Sequence, residues 1–265
     1  MKALVLDFDG VIADSAREAF RVAQAAYTDL RQESRLQDAS ERELLSGFLE
    51  LVPLGNRAED YGVALLALES GVRLPDQPAY DAFFAAQDAG WLRAFHRRFY
   101  EVRQAWATRD PAGWRRVLPP YRPLLVVLRR RAGEARYAIA TAKDRASVRA
   151  LLVDYGVADL FPEELVLDKE TGVTKDAHLR HLQALLGCEF PELTFVDDKV
   201  RHLDRVAPLG VRCALAAWGH NGPREHRLAQ ERGYLVCRLD DVEPRLFGNS
   251  PVGRGEGGPH APLSG

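Results

Sequence analysis

Short apolar, β-branched runs alternate with stretches of three-to-four apolar spacing through the second half of the chain. That alternation is the mark of a parallel sheet covered by helices on both faces. The runs at residues 2–6, 136–140, 164–167, 193–196, 211–216 and 234–236 read as strands. Residues 123–131, 145–154, 176–186 and 200–207 carry helical spacing between them. The expected fold class is α/β, a doubly wound parallel sheet of Rossmann-like form.

Residues 15–118 do not alternate in this way. They read as amphipathic helices with charged faces, an α-helical domain inserted after the first strand. Pro119-Pro120 marks its far end, because consecutive prolines stop a helix and stiffen the return. The expected division is an α/β core of residues 1–14 and 119–248, a helical insertion of residues 15–118 and a tail of residues 249–265. The tail is rich in Gly, Pro and Ser, buries too little apolar surface to order itself, and is expected to be disordered. The chain shows no internal repeat, and its 265 residues suit a core plus a smaller domain.

Composition excludes several classes of function. No apolar run reaches the roughly 18 residues that span a bilayer, so membrane residence is not expected. The N-terminus has a short apolar run followed by Asp7 instead of a secretory signal, which points to a cytoplasmic protein. Cys188, Cys213 and Cys237 are widely spaced, form no CxxC pair and read as buried small hydrophobes. A formal net charge of -2 and a pI near 6.4 supply no basic footprint for nucleic acid. The seven His residues show no ligand spacing such as HExxH, and none is assigned to a metal.

The chemistry concentrates at strand ends. The first strand runs into Asp7-Phe8-Asp9-Gly10-Val11, delivering two carboxylates two residues apart on one side of an extended chain. Ligands of a doubly wound sheet bind outside the carboxyl ends of its strands. Two acids so close are costly unless a cation or a shared proton relieves them, which argues for function. A second apolar strand, Thr194-Phe195-Val196, ends in Asp197-Asp198-Lys199. Read alone, this acid pair is also a turn and helix N-cap. Thr141 ends the strand Tyr137-Ala138-Ile139-Ala140; its hydroxyl suits either a helix cap or donation to an anion. Lys143 and Arg145 nearby read equally as anion attractors and as solvated charges. Lys175 opens a helix, where a cation is mildly disfavoured by the helix dipole, and that tilts the reading towards a site.

Asp7-Phe8-Asp9-Gly10-Val11 resembles the D-x-D-G-[TV] signature of the haloacid dehalogenase superfamily, and Thr141, Lys175 and Asp197-Asp198 follow in the order that superfamily uses. The resemblance covers residues 1–14 and about 119–245, and the helical insertion is similar to the cap of phosphoglycolate-phosphatase-like members. It implies a phosphatase that hydrolyses a small-molecule phosphate ester. By the resemblance, Asp7 attacks phosphorus to give an aspartyl-phosphate, while Asp9 protonates the leaving alkoxide and later activates water. Mg²⁺ would be held by Asp7, the Asp9 carbonyl and Asp198, with Asp197 supporting Asp198. Thr141 and Lys175 would close on the phosphate, joined by Lys143. Asp9 must then hold a proton near neutrality. Dehalogenating members lack that acid, so dehalogenation is disfavoured. The chain departs from the pattern where many members place a further acid four or five residues after the metal ligand: His202 and Leu203 stand there, with Asp204 one step beyond.

Specificity is expected from the insertion, where Asn56 and Arg57 follow a Gly-containing turn before a helix. A guanidinium there suits a carboxylate or second phosphate; an exposed charge at a helix start is the plainer reading. Trp91, Trp106 and Trp114 read first as core. The same motif set also builds a phosphotransferase or mutase, which delivers the phosphoryl group to a hydroxyl instead of water. A non-catalytic binding protein on the same fold is the remaining alternative.

Overall fold

The computed structural model describes residues 1–55, 57–168, 170–172 and 174–248. Its sheet contains β1 (Ala3–Leu6), β2 (Arg136–Ala140), β3 (Val166–Leu167), β4 (Leu193–Asp197), β5 (Arg212–Ala216) and β6 (Leu235–Cys237). All pair in parallel, in the order β3-β2-β1-β4-β5-β6. The expected doubly wound α/β architecture is therefore present.

Successive residues of a strand point to opposite faces. Leu4, Leu6, Ile139 and Val196 pack into one apolar layer with Leu124, Leu128, Val148 and Leu151. Ala3, Val5, Ala138 and Phe195 face the other way, against Leu179, Leu182 and Leu203. With both faces covered, every residue of β1 is fully buried, which is why its sequence is apolar without alternation.

Between β1 and β2 the chain is helical: α1 (Ala16–Leu30), α2 (Glu41–Leu51), α3 (Ala58–Ser70), α4 (Gln77–Ala85), α5 (Ala89–Arg109), α6 (Pro111–Arg116) and α7 (Arg122–Arg130). Polar residues cap several of these helices. Ser40 and Glu43 form a reciprocal capping box at α2, and Asp76 and Asp88 accept from the first turns of α4 and α5. α1, α3 and α5 enclose a separate apolar cluster that includes Phe20, Tyr27, Phe48, Tyr80, Phe95 and Phe99. The chain leaves and re-enters the sheet side by side. Asp14 N–H donates to Pro119 O at 2.8 Å and Tyr121 N–H to Ile12 O at 2.9 Å, so the proline pair sits at the re-entry point.

Beyond β2 follow α8 (Arg145–Asp154), α9 (Lys175–Leu186), α10 (Val200–Val206), α11 (Pro223–Glu231) and α12 (Val242–Phe247). Strand and helix bounds differ from the expectation by a residue or two, the larger change being β3, whose first expected residues form a 3₁₀ turn at Glu163–Leu165. α11 and α12 are additions. α11 is so polar that only Glu225 and Ala229 are buried, and α12 spans six residues, so neither offers a readable apolar stripe. Trp114 is buried in the sheet-side layer, while Trp91 and Trp106 pack against the insertion's cluster, as core residues should. The three cysteines are free and buried. No helix among the described residues is long and apolar enough to cross a membrane. The tail at 249–265 lies outside the described residues.

α3 and α5 approach closely at Gly62, where an added Cβ would stand 2.8 Å from the ring of fully buried Phe95. Helix propensity alone favours Gly62→Ala by about 1 kcal/mol. The immobile ring reverses the sign, and a net loss of about 1–3 kcal/mol is expected from overpacking. Urea unfolding of the variant checks it; a gain in stability would show that the α3–α5 contact yields without cost.

Candidate active site

β1 lies between β2 and β4, and the strand order reverses direction between β1 and β4, so the crevice of the fold opens where β1 ends. Asp7 is the next residue. Its N–H continues the ladder to Val196 O at 2.9 Å, and its carboxylate Oδ1 accepts from Phe8 N–H at 2.7 Å. The chain then turns sharply. Gly10 takes φ +80°, and an added Cβ there would stand 2.2 Å from Asp198 Oδ2. A cavity of about 1300 Å³ begins at this turn. Asp7, Asp9, Thr141, Lys143, Lys175 and Asp198 line it from the core, and Arg57, Tyr61, Phe99, Tyr100 and Arg103 from the insertion.

Lys175, the first residue of α9, places its ammonium 2.8 Å from Asp7 Oδ1 and 3.4 Å from Asp197 Oδ2, and donates to Ala140 O at 2.7 Å. Burial works against its charge, but the two carboxylates outweigh it and keep the ammonium protonated. Thr141 does not cap a helix. Asp144 caps α8, while Thr141 Oγ1 accepts from Lys143 N–H at 3.1 Å and shares the cavity wall. Lys143 Nζ is 3.1 Å from Asp9 Oδ1. Arg145 turns away, with Nη2 3.2 Å from Thr171 Oγ1 and 3.9 Å from Asp168 Oδ1.

Asp197 and Asp198 take different places. Asp197 is fully buried and absent from the cavity lining. It accepts from Lys199 N–H at 2.9 Å, and His202 Nδ1 is 3.0 Å from both of its oxygens. Asp198 faces the cavity, with His220 N–H donating to its Oδ2 at 2.9 Å and Asn221 Nδ2 to its backbone O at 3.0 Å. His202 thus stands where an acid was expected and serves Asp197. Asp204 instead accepts from Tyr234 OH at 2.8 Å.

The two acids of the first turn are poised in opposite senses. Burial pushes the Asp7 carboxyl up, against Lys175, and Asp197 and Asp198 add to the push. Burial also acts on Asp9, but Lys143 and Arg103 more than offset it and hold that carboxyl below its usual range. That direction runs against the proton expected on Asp9, because a lysine stands beside it. Asp197 is held low by His202 and Lys175 despite burial.

The donor set suits a hard divalent cation. Asp7 and Asp198 face one cavity, and the single charge of Lys175 is shared between Asp7 and Asp197, so Asp7 is under-neutralised. Asp7, Asp197 and His202 also lie close enough together to hold an ion, with ligand atoms within 4.8 Å. An ammonium already pairs with two of those three, which leaves the Asp7–Asp198 side as the better fit.

In the insertion, Arg57 is exposed, pairs with Asp60 at 3.4 Å and lies 5.0 Å over the Phe84 ring. Asn56 lies outside the described residues. The sequence did not point to Arg103 or His220, and it gave His202 no role. Arg103 pairs with Glu18, 85 residues away, and no local pattern announces such a partner. The one available signal was the position of His202, four residues after Asp198.

No family model and no curated protein sequence matches the chain. Solved structures do. A protein assigned as a phosphoglycolate phosphatase from Lactobacillus delbrueckii subsp. bulgaricus is similar at TM-score 0.67 and 15% identity, over 92% of this chain and 97% of that one. A predicted phosphoglycolate phosphatase from Haemophilus somnus is similar at TM-score 0.63 and 16% identity, over 91% and 96%. A conserved haloacid dehalogenase-like protein of unknown function from Agrobacterium tumefaciens is similar at TM-score 0.58 and 18% identity, over 91% and 96%. The chain has the haloacid dehalogenase-like fold, insertion included.

The raised Asp7 carboxyl has a measurable sign. The folded protein retains a proton that the unfolded chain gives up, so this group's contribution to stability falls as pH rises above the ordinary carboxylate value of about 4. Asp7→Asn removes the dependence. Its stability relative to wild type is expected to improve between about pH 4 and about pH 8 without divalent cation, and less so with Mg²⁺. Urea unfolding across that range checks it; a difference that ignores both pH and Mg²⁺ would contradict an under-neutralised Asp7.

Proposed function

We propose that the protein is a phosphatase that hydrolyses a small-molecule phosphate monoester through an aspartyl-phosphate on Asp7. The observation that carries the reading is convergence. Asp7 and Asp9 after β1, Thr141 after β2, Lys175 at the start of α9 and Asp198 after β4 all line one cavity. Proteins of the same fold that carry a phosphatase assignment, including the two described above, support it.

In this reading Thr141 and Lys175 hold the phosphoryl oxygens. The Asp7 oxygen attacks phosphorus, the ester P–O bond breaks, and Asp9 gives its proton to the departing alkoxide. Asp9 then takes a proton from water as that water attacks the aspartyl-phosphate, releasing phosphate and restoring Asp7. Asp7, Asp198 and the Asp9 carbonyl would hold Mg²⁺, which supplies charge neutralisation between the nucleophile and the phosphate. The low Asp9 carboxyl fits this sequence, since an arriving phosphate would compete for Lys143, the nearer of the cations that lower it. The helical insertion acts as a cap that closes the cavity and presents Arg57 and Arg103 to the substrate.

Hydrolysis of p-nitrophenyl phosphate by wild type with Mg²⁺ tests the reading. Asp7→Asn is expected to reduce kcat by about 10⁴-fold or more with the fold intact, because the covalent route is lost. Retained turnover in that variant, judged against unchanged circular dichroism, would refute the aspartyl-phosphate mechanism. Phosphoryl transfer to an added alcohol with no release of phosphate would move the assignment to a phosphotransferase.

A further inference from the structure

We propose that Arg103 selects the substrate by binding a second anionic group, a carboxylate or second phosphate, carried beyond the ester phosphate that reacts at Asp7. The inference rests on the phosphatase reading and names the substrate class for that same cavity.

Three observations converge on Arg103. The first is its rigidity. Nε and Nη2 donate to the two oxygens of Glu18, each at 2.7 Å, and Glu18 is fully buried. Trp114 Nε1 donates to Glu18 Oε1 at 3.1 Å, and the guanidinium carbon lies 4.7 Å over the Phe99 ring. The second is its open edge. Among the described residues Nη1 has no hydrogen-bond partner, while the side chain lines the cavity. A planar fork held on one edge presents the other in fixed orientation, the arrangement that favours carboxylate and phosphate. The third is its setting. Arg57 and Arg97, which line the same wall, are exposed, whereas Arg103 is only 18% exposed and its charge reaches Asp9.

The size of the cavity also matters. About 1300 Å³ exceeds the roughly 300–1,000 Å³ usual for small ligands, so a group beyond the ester phosphate has space to reach Arg103.

Matched esters test the proposal. 3-Phosphoglycerate and glycerol 3-phosphate differ by a carboxylate against a hydroxymethyl group, and fructose 1,6-bisphosphate and fructose 6-phosphate by one phosphate. Wild type is expected to prefer the member with the second anion, and the pair that shows the larger preference identifies which anion is bound. In Arg103→Lys, which can still pair with Glu18 but has no second edge, the preference is expected to fall about 10- to 100-fold, carried by KM. The double variant Glu18→Gln/Arg103→Gln keeps a neutral bonded pair, and the same loss is expected there if Arg103→Lys folds poorly. Hydrolysis of both members of each pair by wild type without preference overturns this inference alone. A preference that survives both substitutions also overturns it. Absence of hydrolysis of every ester overturns the phosphatase reading and this inference with it.

Discussion

One buried ammonium holds the reacting end of this fold together. Lys175 has three protons to donate and finds three acceptors: Ala140 O at 2.7 Å, Asp7 Oδ1 at 2.8 Å and Asp197 Oδ2 at 3.4 Å. Those acceptors stand at the ends of three adjacent strands. The sheet register pairs Leu6 with Ile139 and with Val196, so one step further Asp7 lies level with Ala140 and Asp197. Parallel pairing brings the three acceptors to one height, and the first turn of α9 brings the cation to meet them. Removing the ammonium from such a buried arrangement strands both carboxylates, at about 3–5 kcal/mol. The same contacts set the position of the proposed nucleophile, so the stability of the crevice and its chemistry depend on one side chain.

Much of this was legible because the features are local. An apolar strand running into acids, a Thr at a strand end and a Lys opening a helix are patterns within a few residues, and backbone periodicity places them at the same edge of a sheet. What was hidden depends on contacts between distant segments. Glu18 and Arg103 meet across 85 residues, and nothing near either announces the other. His202 was visible as a departure from the expected acid, yet only packing shows that it serves Asp197. The sense of the carboxyl shifts was hidden for the same reason. The state of Asp9 depends on Lys143, which the sequence leaves open between anion binding and solvent.

Besides apolar packing of Trp114 and Leu118, the insertion meets the core through cations of the core and backbone carbonyls of the insertion. Lys199 Nζ donates to Val52 O at 2.6 Å, Arg201 Nη1 to Leu54 O at 3.4 Å and Arg224 Nη1 to Pro75 O at 3.1 Å. Val52 and Leu54 belong to a short 3₁₀ turn; Val52 O also accepts from Gly55 N–H at 3.3 Å and Leu54 O from Gln77 Nε2 at 2.9 Å, and a cation is a natural further complement to such a helix end. Lys199 follows directly on Asp197-Asp198, so the strand end that carries the candidate metal ligand also touches the insertion.

The poise of the two acids after β1 argues for a site completed by what it binds. The proposed mechanism needs Asp7 ionised and Asp9 protonated, yet burial and neighbouring carboxylates push Asp7 up while Lys143 and Arg103 hold Asp9 down. Both departures share a cause in the placement of cations: one lysine is divided between Asp7 and Asp197, and Asp9 has a lysine of its own. A divalent cation beside Asp7 and an anion beside Lys143 would correct both at once, and a phosphate ester arriving with its metal brings both. In the proposed mechanism the cation and the phosphate would act on the two acids together, each meeting the group whose charge balance it changes.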